Sequence, residues 1–261
     1  MPDTALLSRI SPAAIAAVNR AIAIASGKGG VGKTWFSVTL AHALARRGRR
    51  VLLFDGDLGL ANVNIQLGLH PEHDIGSVIA GQVSMCDACR RFAPGGFDVL
   101  AGQSGSGALA GLDAAALGRV LDALGTASEH YDHVLLDLGA GVDRVVRRMS
   151  AWADLLLVIA TDEPSSTTDA YATIKLHAAD RPEGAARIVI NHAMGAAAGQ
   201  RTYATLARAC QVFLRRTPPL AGIVRRDGRV PEAIRRQALL LTRHPSSPAA
   251  EDVEQIAAGL M

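Results

Sequence analysis

The sequence predicts a single-domain α/β fold, a doubly wound and mostly parallel sheet with helices on both faces. Three observations carry that prediction. Short aliphatic runs alternate along the chain with longer stretches whose apolar residues fall at helical spacing. Several of those runs end in Asp, Asn or Gly, which suits ligand-facing turns at the carboxyl ends of parallel strands. Between the first run and the first helical stretch, Gly27 to Thr34 reads Gly-Lys-Gly-Gly-Val-Gly-Lys-Thr, a loop type that joins a strand to a helix. The 261 residues, 49% of them hydrophobic, are ample for one sizeable core, and an aromatic fraction of 4% makes that core aliphatic.

Residues 1–20 read as an N-terminal extension, in which Ser11-Pro12 opens a short helix to about Asn19. Residues 21–261 read as one domain. Ala21 to Ala25 is uninterrupted and apolar, as a buried strand should be. Thr34 to Arg47 is helical, with Phe36, Leu40, Ala43 and Leu44 on one stripe. Arg49 to Phe54 is the second strand and ends in Asp55-Gly56-Asp57. Asp98 to Ala101 is a short strand before a Gly/Ser-rich loop, residues 102–107, and Ala114 to Ala127 is helical. His133 to Leu136 is a strand that ends at Asp137 and leads into Gly139-Ala140-Gly141. Leu155 to Ala160 is a strand, followed by a helix from Thr167 to Ala178 whose start, Ser166 to Asp169, has capping-box spacing. Arg187 to Ile190 is a strand ending at Asn191, and Glu251 to Leu260 is the last helix. No apolar run reaches membrane-spanning length, and no linker is long enough to mark a domain boundary. The N-terminus lacks a basic start followed by an apolar core, which speaks against a signal peptide.

The glycine loop carries the chemistry. Gly27, Gly32, Lys33 and Thr34 occupy the fixed positions of a phosphate loop, the hallmark of a P-loop NTPase. Gly29, Gly30 and Val31 complete a backbone that can wrap around phosphate oxygens at the positive end of a helix. Lys33 would neutralise β- and γ-phosphate charge, and the Thr34 hydroxyl would sit on Mg²⁺. Asp137 stands where a Walker B carboxylate is needed, and it would hold that ion through a water because Mg²⁺ keeps part of its hydration shell. Asp55 and Asp57 follow another strand end, one placed to support the magnesium region and the other to face an attacking water. Lys28 is a second lysine that the basic pattern does not require.

Lys28-Gly29-Gly30-Val31-Gly32-Lys33-Thr34 resembles the deviant Walker A motif of the MinD/ParA ATPases. Asp55 to Val63 resembles that family's switch I, and Asp137 to Gly141 its switch II. Leu67 to Pro71 and Asp162 to Leu176 resemble its flagellar-number branch, the FlhG/FleN proteins. The resemblance runs from Ala21 to the end of the sequence. It implies a MinD-like fold, ATP and Mg²⁺ as cofactors, and hydrolysis of ATP to ADP and phosphate. It implies that Lys28 contacts phosphate across an ATP-sandwich homodimer, that Asp57 orients the water, and that Asn191 reads adenine. Asp227 matches the end of an Ile/Val-Pro-x-Asp stretch near the base, with Arg225 in the place of proline. The implied partners are a flagellar GTPase of the signal-recognition type, a flagellar transcription regulator or switch-complex proteins. The implied place is the cytoplasm, peripherally at the inner face of the membrane. That arginine is one departure from the family, and two further features depart from it. The C-terminal stretch Glu251 to Met261 has the apolar stripe Val253, Ile256, Ala257 and Leu260 but an acidic polar face, which an anionic leaflet repels; it reads as a core helix. Asp3 to Arg9 matches only the Asp, Ala and Arg of the branch's partner-stimulating element.

Other classes fit less of the chain. A DNA-partitioning ATPase would use the arginines between Arg225 and Arg243 on phosphates. A second cluster, Arg144, Arg147 and Arg148, reads as a solvated face or a surface for an acidic partner, a lipid headgroup or DNA. Cys86, Cys89 and Cys210 neither follow switch II nor form a second pair, which disfavours an iron–sulfur carrier and a closed zinc site. No separate substrate pocket for a synthetase or kinase can be read from the sequence.

Overall fold

The computed structural model describes residues 21–57, 61–102 and 113–261. The expected helix at residues 11–19, the Asp3 to Arg9 element, residues 58–60 of the switch I stretch and most of the 102–107 loop lie outside the described residues.

The strands are β1 (Ala21–Ser26), β2 (Val51–Gly56), β3 (Arg90–Phe92), β4 (Phe97–Leu100), β5 (His133–Ala140), β6 (Leu155–Ala160), β7 (Ala185–Ala193) and β8 (Leu220–Arg225). The helices are α1 (Lys33–Arg46), α2 (Val63–Leu67), α3 (Ile75–Ile79), α4 (Met85–Ala88), α5 (Ala114–Ser128), α6 (Arg144–Trp152), α7 (Pro164–Asp180), α8 (Ala196–Leu214), α9 (Arg229–Arg235), α10 (Leu240–Arg243) and α11 (Pro248–Ala258). One sheet orders the strands β3-β4-β2-β5-β1-β6-β7-β8. Only the edge pairing of β3 with β4 is antiparallel. The expected doubly wound sheet is therefore present.

Strand alternation divides the core in two. Ile22, Ile24, Val51, Leu53, Leu135, Leu155, Leu157 and Val189 face one side, with the apolar stripes of α1 and α11. Ala21, Ala23, Ala25, Leu52, Phe54, Leu136, Leu156, Val158 and Ile190 face the other, with α5, α6 and α7. Both faces are covered, so the strands read as unbroken apolar runs rather than as alternating ones. β1 lies between β5 and β6, where the strand order reverses. A crevice outside the carboxyl ends of the strands at such a reversal is where doubly wound sheets bind ligands.

Two expectations need correction. β5 does not end at Asp137 but continues to Ala140. Its edge stays paired on both sides, with Asp55 opposite Asp137 and Gly56 opposite Leu138 on β2, and Ser26 opposite Ala140 on β1. The helix predicted to open at a Ser166 capping box opens instead at Pro164 in its first turn. The Ser166 hydroxyl accepts the Thr161 N–H at 3.0 Å, so it tethers the end of β6 rather than capping α7.

Val253, Ile256, Ala257 and Leu260 are buried, as expected of a core helix. The arginine in the place of the family proline has a structural reason. Arg225 grips α11: its Nε and Nη2 both lie 2.8 Å from the Asp252 carboxylate, and its backbone N–H donates to the same group. Among the described residues no helix is long and apolar enough to cross a membrane. Asp252→Ala removes a buried acceptor from three donors. Allowing for the solvent-facing guanidinium, it should destabilise the chain by about 2 kcal/mol and lower the melting temperature by about 4–8 °C. Calorimetry of the two proteins checks this.

Candidate functional site

The phosphate loop is shaped by two close approaches. A Cβ on Gly27 would come within 2.4 Å of the Asp169 carbonyl oxygen on α7, so only glycine lets the loop lie on that helix. Gly32 has φ 88° and caps α1 in the left-handed region, and its Cβ would meet the Asn191 side-chain nitrogen at 2.6 Å. No side chain caps α1 and no acid occupies its first turn. Its N-terminal N–H groups are therefore available to an anion.

Lys33 is buried and donates from Nζ to Ser26 Oγ at 3.0 Å, and that hydroxyl donates to the Lys28 carbonyl at 2.6 Å. Burial lowers the Lys33 pKa, while the charges of Asp137 and Asp57 oppose the shift. Asp137 is 1% exposed. It accepts from Ser37 Oγ at 2.9 Å and from the Thr34 hydroxyl. Burial pushes its pKa up to about 6 against those hydrogen bonds and the nearby Lys33. Asp55 is fully buried and pushed up to about 7, first by burial and then by Asp137. Both of its oxygens accept backbone N–H groups, from Asp57 at 3.2 Å and from Asn62 and Val63 at 2.9 Å each. Asp55 thus anchors the chain on both sides of residues 58–60. Asp57 lies against Gly139: a Cβ there would be 3.5 Å from its carboxylate. Lys33, Thr34, Asp57 and Asp137 therefore converge on the crevice from three strand ends.

The remaining predicted residues have other positions. Lys28 turns away from its own loop, pairing with Glu163 and donating to Ser165 Oγ at 2.9 Å. Asn191 donates to the Val31 carbonyl at 2.8 Å and accepts the His192 N–H at 2.9 Å, so it braces the loop from β7. It also lines a cavity of about 610 Å³ with Gly30, Gly32, Trp35 and Asp227, a size typical of ligand pockets. The Asp227 carboxylate is engaged within the protein, by the N–H groups of Arg229 and Ala249.

Sequence reading missed Ser26, Ser37, Glu163 and Trp35. Ser26 ends β1, and Ser37 lies one turn after Lys33 on α1, so both were within reach of a reading that follows faces. Glu163 and Ser165 carry no local signal that they meet Lys28.

The oxygen donors suit Mg²⁺. Thr34 and Asp137 are already hydrogen-bonded to each other. Among the described residues no group of three or more His, Cys, Asp or Glu is placed to hold a metal ion unaided.

A phosphate loop on β1, a buried lysine and a carboxylate beside the Thr34 hydroxyl define a nucleotide-binding protein. Residues 22–240 match the CobQ/CobB/MinD/ParA nucleotide binding domain, and the chain belongs to that family. It is 38% identical over 229 residues to the antiactivator FleN of Pseudomonas aeruginosa, covering 87% of this chain and 81% of that protein. It is 34% identical over 163 residues to the flagellum site-determining protein YlxH of Helicobacter pylori, 62% of this chain and 55% of that one. The cell division ATPase MinD of Pyrococcus furiosus shares the fold with a TM-score of 0.77 and 25% identity, over 92% of this chain and 97% of that chain.

Asp55 and Asp137 both have folded pKa values above the ordinary 3.8. These two carboxyls hold more protons in the folded chain than in the unfolded one between about pH 4 and pH 7, so their contribution to stability falls as pH rises through that window. His42, lowered by burial to about 4, and His177 and His192, also lowered, contribute with the opposite sign over part of it. The melting temperature of nucleotide-free Asp137→Asn, relative to that of wild type, should therefore be higher at pH 8 than at pH 5, because the variant lacks one of the contributions that fall with pH. Because Mg²⁺ competes with those protons, Mg-nucleotide should raise the melting temperature more at pH 8 than at pH 5.5. Thermal scans across pH check both.

Proposed function

We propose that this chain is an ATP-dependent dimerisation switch with slow hydrolysis that regulates flagellar number or placement. The likeness to FleN over most of the chain, joined by that to YlxH, supports the flagellar reading. The placement of Lys28 carries the switch reading. The site already has a phosphate-facing lysine, Lys33, whereas Lys28 is held outside on an exposed pair with Glu163. An exposed pair contributes little and exchanges readily. A lysine in that position is free to serve a second copy's phosphates, as an arginine finger serves a GTPase.

In this reading ATP binds along the phosphate loop with its base in the cavity beside Asn191 and Trp35. Lys33 neutralises phosphate charge in cis. Thr34 and Asp137 would hold Mg²⁺, which would supply charge neutralisation to the phosphates. Asp57 orients the water. Asp55 acts through the segment it anchors, keeping Asp57 and Asn62 in register with the phosphate. Loss of the γ-phosphate frees Asp57 and residues 141–143, and the dimer parts. Residues 21–261 act as one domain, and residues 1–20 meet a partner, for which a flagellar GTPase or transcription regulator is the leading class. Mg²⁺ and ATP are the cofactors, and the cytoplasm, with peripheral membrane contact through a partner, is the place of action.

The arginine cluster supports the DNA-partitioning alternative only weakly: Arg225 is clamped by Asp252, and three of the other arginines, Arg229, Arg236 and Arg243, have their charge partly offset by one shared acid, Glu232.

Lys33→Ala should abolish ATP binding. Asp57→Ala should keep binding, lose turnover and accumulate as a dimer in size-exclusion chromatography with ATP; an Asp57→Ala protein that stays monomeric contradicts the sandwich mechanism. Deleting the gene should change the number or position of flagella per cell, counted by electron microscopy. Unchanged counts and positions contradict the flagellar role.

A further inference from the structure

A second cavity, of about 580 Å³, opens away from the nucleotide site and is lined by Leu121 of α5, by Arg144, Arg148 and Trp152 of α6, and by Asp180 of α7. Arg144, Arg148 and Trp152 stand at i, i+4 and i+8, one above another on a single helix face. Arg147, on the same helix, is already satisfied: its guanidinium holds Asp180 in a two-pronged pair at 2.8 and 2.5 Å. Arg144 and Arg148 are exposed and have neither an ion pair nor a hydrogen bond among the described residues. Like charges at i and i+4 repel and weaken a helix. The free chain keeps that repulsion beside an apolar cavity wall.

The sequence restricts what can relieve it. Of the chain's 24 acidic residues only Asp3 lies outside the described residues. A carboxylate for both arginines must therefore come chiefly from another protein. The surroundings also discriminate among anions. Leu121, Ala151 and Trp152 give the cavity an apolar wall next to the guanidinium groups. An acidic peptide with an apolar side chain fills both parts, whereas a nucleic-acid backbone uses only the charges. Trp and Arg are also the residue types that carry most energy at protein interfaces. The position has a consequence: Asp143 caps α6 through the N–H groups of Val145 and Val146, and the segment before it, 138–142, follows Asp137 directly. An occupant of this face sits on the helix that the phosphate-facing strand leads into.

We propose that the cavity between α5 and α6 is a docking site for an acidic segment of a partner protein, with Arg144 and Arg148 pairing its carboxylates and Trp152 packing on its apolar side chain. The chain has two tryptophans, so a Trp35→Phe background leaves Trp152 as the sole reporter. A short synthetic peptide of Asp, Glu and Leu is titrated while tryptophan fluorescence is followed. Saturable binding that weakens with salt, and that falls about tenfold or more in Arg144→Glu/Arg148→Glu, is the expected result. Circular dichroism of Arg144→Glu/Arg148→Glu should match wild type, since both arginines are exposed, and its peptide-free ATPase activity, measured with Trp35 in place, should equal that of wild type. The proposal is overturned if the peptide does not bind, if it binds wild type and variant alike, or if duplex DNA binds more tightly with the same dependence on the two arginines.

Discussion

The arrangement depends on how closely the loop after β1 is packed between two neighbouring strand ends. On one side Gly27 lies against the backbone of α7, which follows β6; on the other, Gly32 lies against Asn191 at the end of β7. Neither approach tolerates a Cβ. These contacts fix where α1 begins, and hence where its uncapped N–H groups point. They also place Lys33 over Ser26 and bring Ser37 and Thr34 to Asp137. β1 holds this central position because its alanines present small side chains to α6 and α7, while Ile22 and Ile24 fill the opposite face.

A second constraint follows from burial. Lys33, Asp55 and Asp137 sit in the core near the strand ends, and burial disfavours each charge. The three do not compensate one another evenly: Lys33 favours an ionised Asp137, but Asp137 raises Asp55. A bound cation and phosphate complete this charge set better than the protein does alone. Such a site is poised to respond to its ligand, because Asp57, just after β2, lies beside Gly139 near the end of β5.

The central strands, the phosphate loop, α1 and the Asp137 and Asn191 strand ends were legible because unbroken aliphatic runs and glycine spacing are local signals. The helices and strand between 196 and 243 carry no such signal. α8 is long but carries small and polar residues around most of its circumference, and only Leu206, Ala207, Cys210 and Gly199 are buried. The half-exposed β8 shows no clean run for the same reason. α2, α3 and α4 are too short to show a period, although Asp74 and Ser84 cap the latter two as such residues do. The site's long-range partners were invisible for a different reason. Lys28 with Glu163 is a contact across 135 positions, Asn191 with Val31 across 160, and nothing in local spacing specifies either. Family likeness supplied a role for Lys28; the fold supplied its resting partner.

Sedimentation of wild type and Lys28→Ala, each with ADP and with a non-hydrolysable ATP analogue, tests the central claim most directly. The account predicts a wild-type dimer with the ATP analogue alone, and a Lys28→Ala protein that binds the analogue with near-normal affinity yet remains a monomer. A Lys28→Ala dimer that forms as readily as wild type, or a wild-type dimer indifferent to the γ-phosphate, would contradict it.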